Sequence, residues 1–103
     1  MRKIKITVVK KAFYEDLVQA YGDKAWAVAP CTDFEVGQEF VMDADHTYMP
    51  EGFCSWAWAD IQRDVEAIGH GASYAWIEGH NAIVSCCTDG LRPVSFRIER
   101  MEE

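Results

Sequence analysis

From Lys3 to Lys11 apolar and polar residues alternate, with Ile4, Ile6 and Val8 on one side and Lys3, Lys5 and Thr7 on the other. That two-residue period predicts a half-buried strand. A short helix is predicted over Glu15 to Tyr21, because Glu15 and Asp16 suit the positive amino-terminal end of a helix and Gly22 is available to stop it. Asp23 to Pro30 is small and apolar, and Pro30, Cys31 and Thr32 read as a loop. Phe34 to Met42 reads as turn plus strand, with Gly37 at the turn and Phe40 and Val41 opening the apolar stretch.

The strongest helical pattern runs from Ser55 to Ile68. Trp58, Ile61, Val65 and Ile68 recur at offsets of three, four and three, while Asp60, Arg63, Asp64 and Glu66 point elsewhere. Gly69 and Gly71 are expected to end this helix, and His70 between them reads as a cation complementing its carboxy-terminal dipole. Ala82 to Cys87 and Pro93 to Arg100 read as paired strands joined across Asp89 and Gly90, a strong turn dipeptide. The order β-α-β-α-β-β predicts an α+β fold, a small, mostly antiparallel sheet carrying two helices.

Size and composition narrow the picture. With 103 residues, no repeat and no linker, the chain reads as a single domain over 1–103; with half its residues apolar and 13% aromatic, it has enough core material to fold without disulfides. A formal charge of -7 repels phosphate backbones and anionic headgroups, so neither nucleic acid nor a membrane surface is an expected partner. The one basic set, Arg2, Lys3, Lys5, Lys10 and Lys11, reads as solvation of the first strand. Lys5 interrupts the opening apolar run, so no secretory leader is read there. No apolar stretch nears the ~20 residues that span a bilayer. The expected address is cytoplasmic, where thiols stay reduced.

Under those conditions the four cysteines draw attention. Cys31 lies in a loop, Cys54 at the start of the second helix, and Cys86 and Cys87 at the end of a strand. A helix start favours an anion, including a thiolate. Strand alternation puts Cys86 and Cys87 on opposite faces, so a compact site uses one of them. Thiolates ligate zinc or iron at about 2.3 Å, but the spacing here, 23 residues and then 32, contains no C-x-x-C knuckle.

Three readings of the cysteines stay open: a metal site with an open position, a reactive thiol at Cys54 with another cysteine to resolve it, or small buried packing residues in a non-catalytic binding or assembly module. A fourth metal ligand would be His80, His46, a carboxylate or water. Asp43 and Asp45 read as a solvated turn, and no Ser-His-Asp order, P-loop or dinucleotide-binding glycine pattern is present. Arg92 is a candidate carboxylate binder or a partner for Asp89. Of the four tryptophans, Trp58 falls on the apolar helical face and core packing is the expectation for the set. Trp56 on another side, with Trp26 or Trp76, is the candidate for lining a pocket or a contact between copies in a homo-oligomer.

The segments GFCSWAWADI (Gly52 to Ile61) and CCTDGLRPVSFRIER (Cys86 to Arg100) resemble those of an uncharacterised family of similarly short proteins, mostly from anaerobic bacteria and archaea. The resemblance extends to the opening strand and to GQEF, Gly37 to Phe40. The family's motif positions fall on Gly52, Phe53, Cys54, Trp58, Asp89, Gly90, Arg92, Pro93 and Val94. This chain departs from it after Cys31, where Thr32 stands in place of a frequent proline. The resemblance implies an oxygen-poor cytoplasm and cysteine-centred motifs; it names no reaction.

Overall fold

The computed structural model describes residues 2–101. Its elements are β1 (Lys3–Lys11), α1 (Glu15–Tyr21), β2 (Glu39–Asp43), α2 (Ser55–Gly69), β3 (Ala82–Cys86) and β4 (Val94–Met101). The strands form one sheet in the order β2-β1-β4-β3, antiparallel throughout. The alternation in β1 and β4 decides how the sheet is used. Ile4, Ile6 and Val8 and their neighbours Val94, Phe96 and Ile98 face inward and are buried, and α2 covers that face with Ala57, Ile61, Val65 and Ile68.

The other face is open. Lys3 pairs with Asp43 at 2.8 Å, Lys5 stands 3.7 Å from both Glu39 and Glu99, and Arg97 reaches Glu99 at 2.6 Å. These pairs, cross-strand for Lys3 and Lys5 and within β4 for Arg97, carry the sheet's polar side at little energetic gain, since exposed ion pairs contribute about 0–1 kcal/mol each.

The expected order of elements is found, and α1 has the expected bounds. One detail of α2 differs, while Gly71 and His70 stand at its end as expected. Gly69 does not end the helix but is its last, buried residue; a Cβ there would stand 2.8 Å from Ile4 Cδ1, so glycine lets the helix end lie against β1. The left-handed residue that turns the chain is Gly71, with φ +99. His70 is the cap residue, its Nδ1 3.0 Å from the Glu66 carbonyl, in keeping with a role at the helix end.

Core packing, expected of the tryptophans, holds only in part. Trp58 is half-buried, edge-on to Phe53 at 5.8 Å, whereas Trp26, Trp56 and Trp76 are 77, 69 and 73% exposed. In the first turn of α2 the small Ala57, 2% exposed, takes the buried position, and the indoles on either side of it do not. Among the described residues no helix is long and apolar enough to cross a membrane.

Candidate functional site

Three segments meet at one end of the covered face: the start of α2, the chain between α1 and β2, and the connection from β3 to β4. Each brings one cysteine. Together they line a cavity of about 410 Å³ whose walls include Cys31, Cys54 and Cys87, the apolar Phe34, Ala57 and Val94, and a rim of Asp33, Trp56, Thr88, Asp89 and Arg92.

The position of Cys54 follows from the turn before it. Phe53 N–H donates to the Pro50 carbonyl (3.1 Å) across a turn whose Gly52 has φ +81, a value glycine adopts without steric cost. Phe53 then plugs into the core, and Cys54 becomes the N-cap of α2 without a side-chain cap bond. Its carbonyl accepts from Trp58 N–H at 2.9 Å. The sulfur is therefore not spent on the helix's free N–H groups.

Cys31 is held by a residue three positions on. Phe34 is 2% exposed and packs edge-on against Phe53 (4.9 Å), Phe96 (5.1 Å) and Phe40 (6.2 Å). Lys11 Nζ donates to its carbonyl at 2.8 Å, from beyond an irregularity in β1 between Val8 and Lys10. With Phe34 fixed, Asp33 N–H points at Cys31 Sγ (3.4 Å).

Strand alternation separates the adjacent pair as expected, and the structure decides which of the two faces inward. Cys86 pairs with Ser95 on the open face and is exposed; Cys87 falls opposite Val94, donates its N–H to the Val94 carbonyl (3.0 Å) and accepts Val94 N–H on its sulfur (3.3 Å). All four cysteines are free thiols.

The connection after Cys87 is organised by side chains. Asp89 Oδ1 accepts the N–H groups of Leu91 and Arg92, each at 3.0 Å, and Oδ2 accepts Arg92 Nε at 3.2 Å. Burial alone would raise the Asp89 carboxyl, but those two N–H donors and the Arg92 guanidinium outweigh it and hold the group below its usual range. Gly90 needs no left-handed backbone. The Asp-Gly pair thus acts through the carboxylate rather than as a tight hairpin turn.

Two residues outside the expected set complete the site. Asp60 Oδ2, one helical turn after Trp56, accepts both the N–H (2.7 Å) and the hydroxyl (2.9 Å) of Thr88, whose oxygen in turn accepts Trp56 Nε1–H at 3.1 Å. This network ties the first turns of α2 to the residue after Cys87 and holds Trp56 at the cavity mouth. The available signal was that Asp60 and Thr88 each lie inside one of the two motifs that stand out in the sequence. Of the other expected residues, His80 and His46 do not line the cavity, and Trp76 lines a separate, shallow depression beside β3.

The cavity thus offers thiols, one guanidinium, carboxylates and an indole ring. Among the described residues no three His, Cys, Asp or Glu side chains are grouped so as to hold a metal ion. Known proteins add no further constraint: no protein-family model, curated protein or solved structure matches this chain.

Proposed function

We propose that the protein is a thiol-dependent, small-molecule-binding protein that works through the cavity at the start of α2, with Cys54 as its reactive thiol and Cys31 and Cys87 beside it. One observation carries this reading: three cysteines from three distant segments line one cavity while the fourth is turned to the opposite face. Burial as mere packing would not require the three to share a wall. Phe34, Ala57 and Val94 supply an apolar wall for a small organic molecule, and Trp56 and Arg92 stand at its mouth. The reducing, oxygen-poor cytoplasm implied by the resemblance would keep these thiols available.

A second reading, ligation of zinc or iron by the same three sulfurs, draws on the two backbone N–H groups aimed at Cys31 and Cys87. Such donors stabilise thiolates, and three thiolates gathered together call for a cation. It requires side-chain movement that draws the sulfurs together.

The deciding experiment is elemental analysis of protein purified without oxygen or a chelating tag, beside a count of the thiols that react in the native state. A metal-free protein in which one thiol alkylates fast, with the fast phase lost in Cys54→Ser and the fold intact, meets the first reading. Stoichiometric zinc or iron with three protected cysteines replaces it with the second. No metal and inert cavity thiols reject both, and would leave an assembly module that uses its exposed tryptophans.

A further inference from the structure

Arg92 is the only cation among the described residues that line the thiol cavity. Asp89 meets it from one side: its Oδ2 accepts Arg92 Nε at 3.2 Å and stands 3.2 Å from Nη2. A guanidinium carries five N–H donors in a rigid fork. Asp89 takes one edge of that fork, and Nη1 has no partner among the described residues. Arg92 is thus fixed in orientation, while the edge formed by Nη1 and the outer N–H of Nη2 is left for a second acceptor. The Asp89 carboxylate is itself engaged within its own turn, by the N–H groups of Leu91 and Arg92 and by the guanidinium. The start of α2 acts in the same sense. Its first turn holds no acidic residue and its N-cap makes no side-chain bond, so neither offsets the positive end of the helix dipole. Trp56 and Ala57 of that turn line the same cavity.

We propose that the cavity takes a small monocarboxylate with a short apolar body, the carboxylate on the free edge of Arg92 and the body against Phe34, Ala57 and Val94, beside Cys54. A planar carboxylate matches the guanidinium fork with two parallel N–H···O bonds. A volume of about 410 Å³ suits a small organic molecule. The rest of the wall sets the charge of the ligand. Asp33 and Asp89 also line the cavity, so a second negative group on the ligand meets a carboxylate rather than a cation. In a chain of charge -7 no long-range field draws anions in, and recognition is local to Arg92. This proposal deepens the thiol reading and rests on it for the part that Cys54 plays; the carboxylate site itself stands on Arg92.

The test compares two reagents on the full chain, iodoacetate and iodoacetamide. With either one the Cys54 thiolate attacks the methylene carbon, an S–C bond forms, the C–I bond breaks and iodide leaves; the reagents differ in carrying a carboxylate or a neutral amide. The ratio of their rates at Cys54, read by peptide mapping, therefore reports carboxylate recognition apart from the reactivity of the thiol, and the same residue in the urea-unfolded chain supplies the reference. We expect the iodoacetate-to-iodoacetamide ratio to rise at least about tenfold on folding, or about 1.4 kcal/mol. It should return to the reference in Arg92→Gln, whose fold circular dichroism will verify. Butyrate should slow the alkylation of wild-type Cys54 by iodoacetamide, and succinate should do so far less. An unchanged ratio, a raised ratio that survives Arg92→Gln, or equal protection by the two acids overturns the proposal. A Cys54 no faster than in the unfolded chain with either reagent rejects the thiol reading alone. Calorimetric binding of butyrate, lost in Arg92→Gln, then upholds the carboxylate site, and its absence in the wild type overturns it.

Discussion

On the covered face of the sheet Ile4, Ile6, Val8, Phe96 and Ile98 have no exposed surface; on the open face the same strands carry Lys3, Lys5, Arg97 and Glu99 in ion pairs, across strands for the lysines and within β4 for Arg97. The covered face is held by burial, at about 25 cal/mol per Å² of apolar surface, and the open face by contacts that water and salt weaken. The cavity lies at the end of the covered face. Its thiols therefore inherit the rigidity of the core on one side, through Phe34 and Phe53, and of a hydrogen-bond network on the other, through Asp60, Thr88 and Asp89.

The covered face depends most on Phe34. Phe34→Ala removes the ring that three other phenylalanines pack against, and should cost about 3–5 kcal/mol in denaturant unfolding. It should also speed native alkylation of Cys31 as its segment loosens. A loss below about 1 kcal/mol would mean that this segment is not anchored by the core.

Next in size is Asp60→Ala, which leaves the Thr88 N–H and hydroxyl without their acceptor. About 1–2 kcal/mol of stability should be lost, and Cys87 should alkylate faster while Cys86, on the open face, keeps its rate. Equal acceleration of both would show general loosening rather than release of the cavity rim.

Acid sharpens the contrast at Asp89. Its carboxyl is held below the usual range in the folded chain, so the stability it contributes is complete above the unfolded value, about pH 4, and is lost as pH falls through the folded value. Asp89→Asn should lower stability at neutral pH and flatten that part of the acid-unfolding profile. A profile unchanged in this variant would remove Asp89 as a source of acid sensitivity.

The smallest effect belongs to the open face. Lys5→Ala should cost less than about 0.5 kcal/mol, and the difference should shrink further in high salt. A larger, salt-independent loss would mean that the lysine stem packs as the buried side chains do.

The helices and strands were legible because their signals are local. Ile4, Ile6 and Val8 mark β1 by alternation, and Ile61, Val65 and Ile68 mark the buried stripe of α2 by their offsets. The tryptophans depart from the expectation as a set because a large apolar side chain is buried only where the tertiary structure places it inward, and in the first turn of α2 that position falls to Ala57. The cavity was half legible. Cys31, Cys54 and one of the adjacent pair could be singled out, while Asp60 and Thr88, 28 positions apart, carried no local sign of their contact.

The sequence by itself determined the order of elements, the inward side of each main strand and the separation of Cys86 from Cys87, all consequences of helix and strand periods that act over a few residues. Only the tertiary structure decided that Cys87 faces the cavity, that Cys31 and Cys54 share its wall, and that Asp60 clamps Thr88. Those facts depend on how α2 and the segment before β2 cross the sheet, and that crossing is set by packing among residues far apart in the chain.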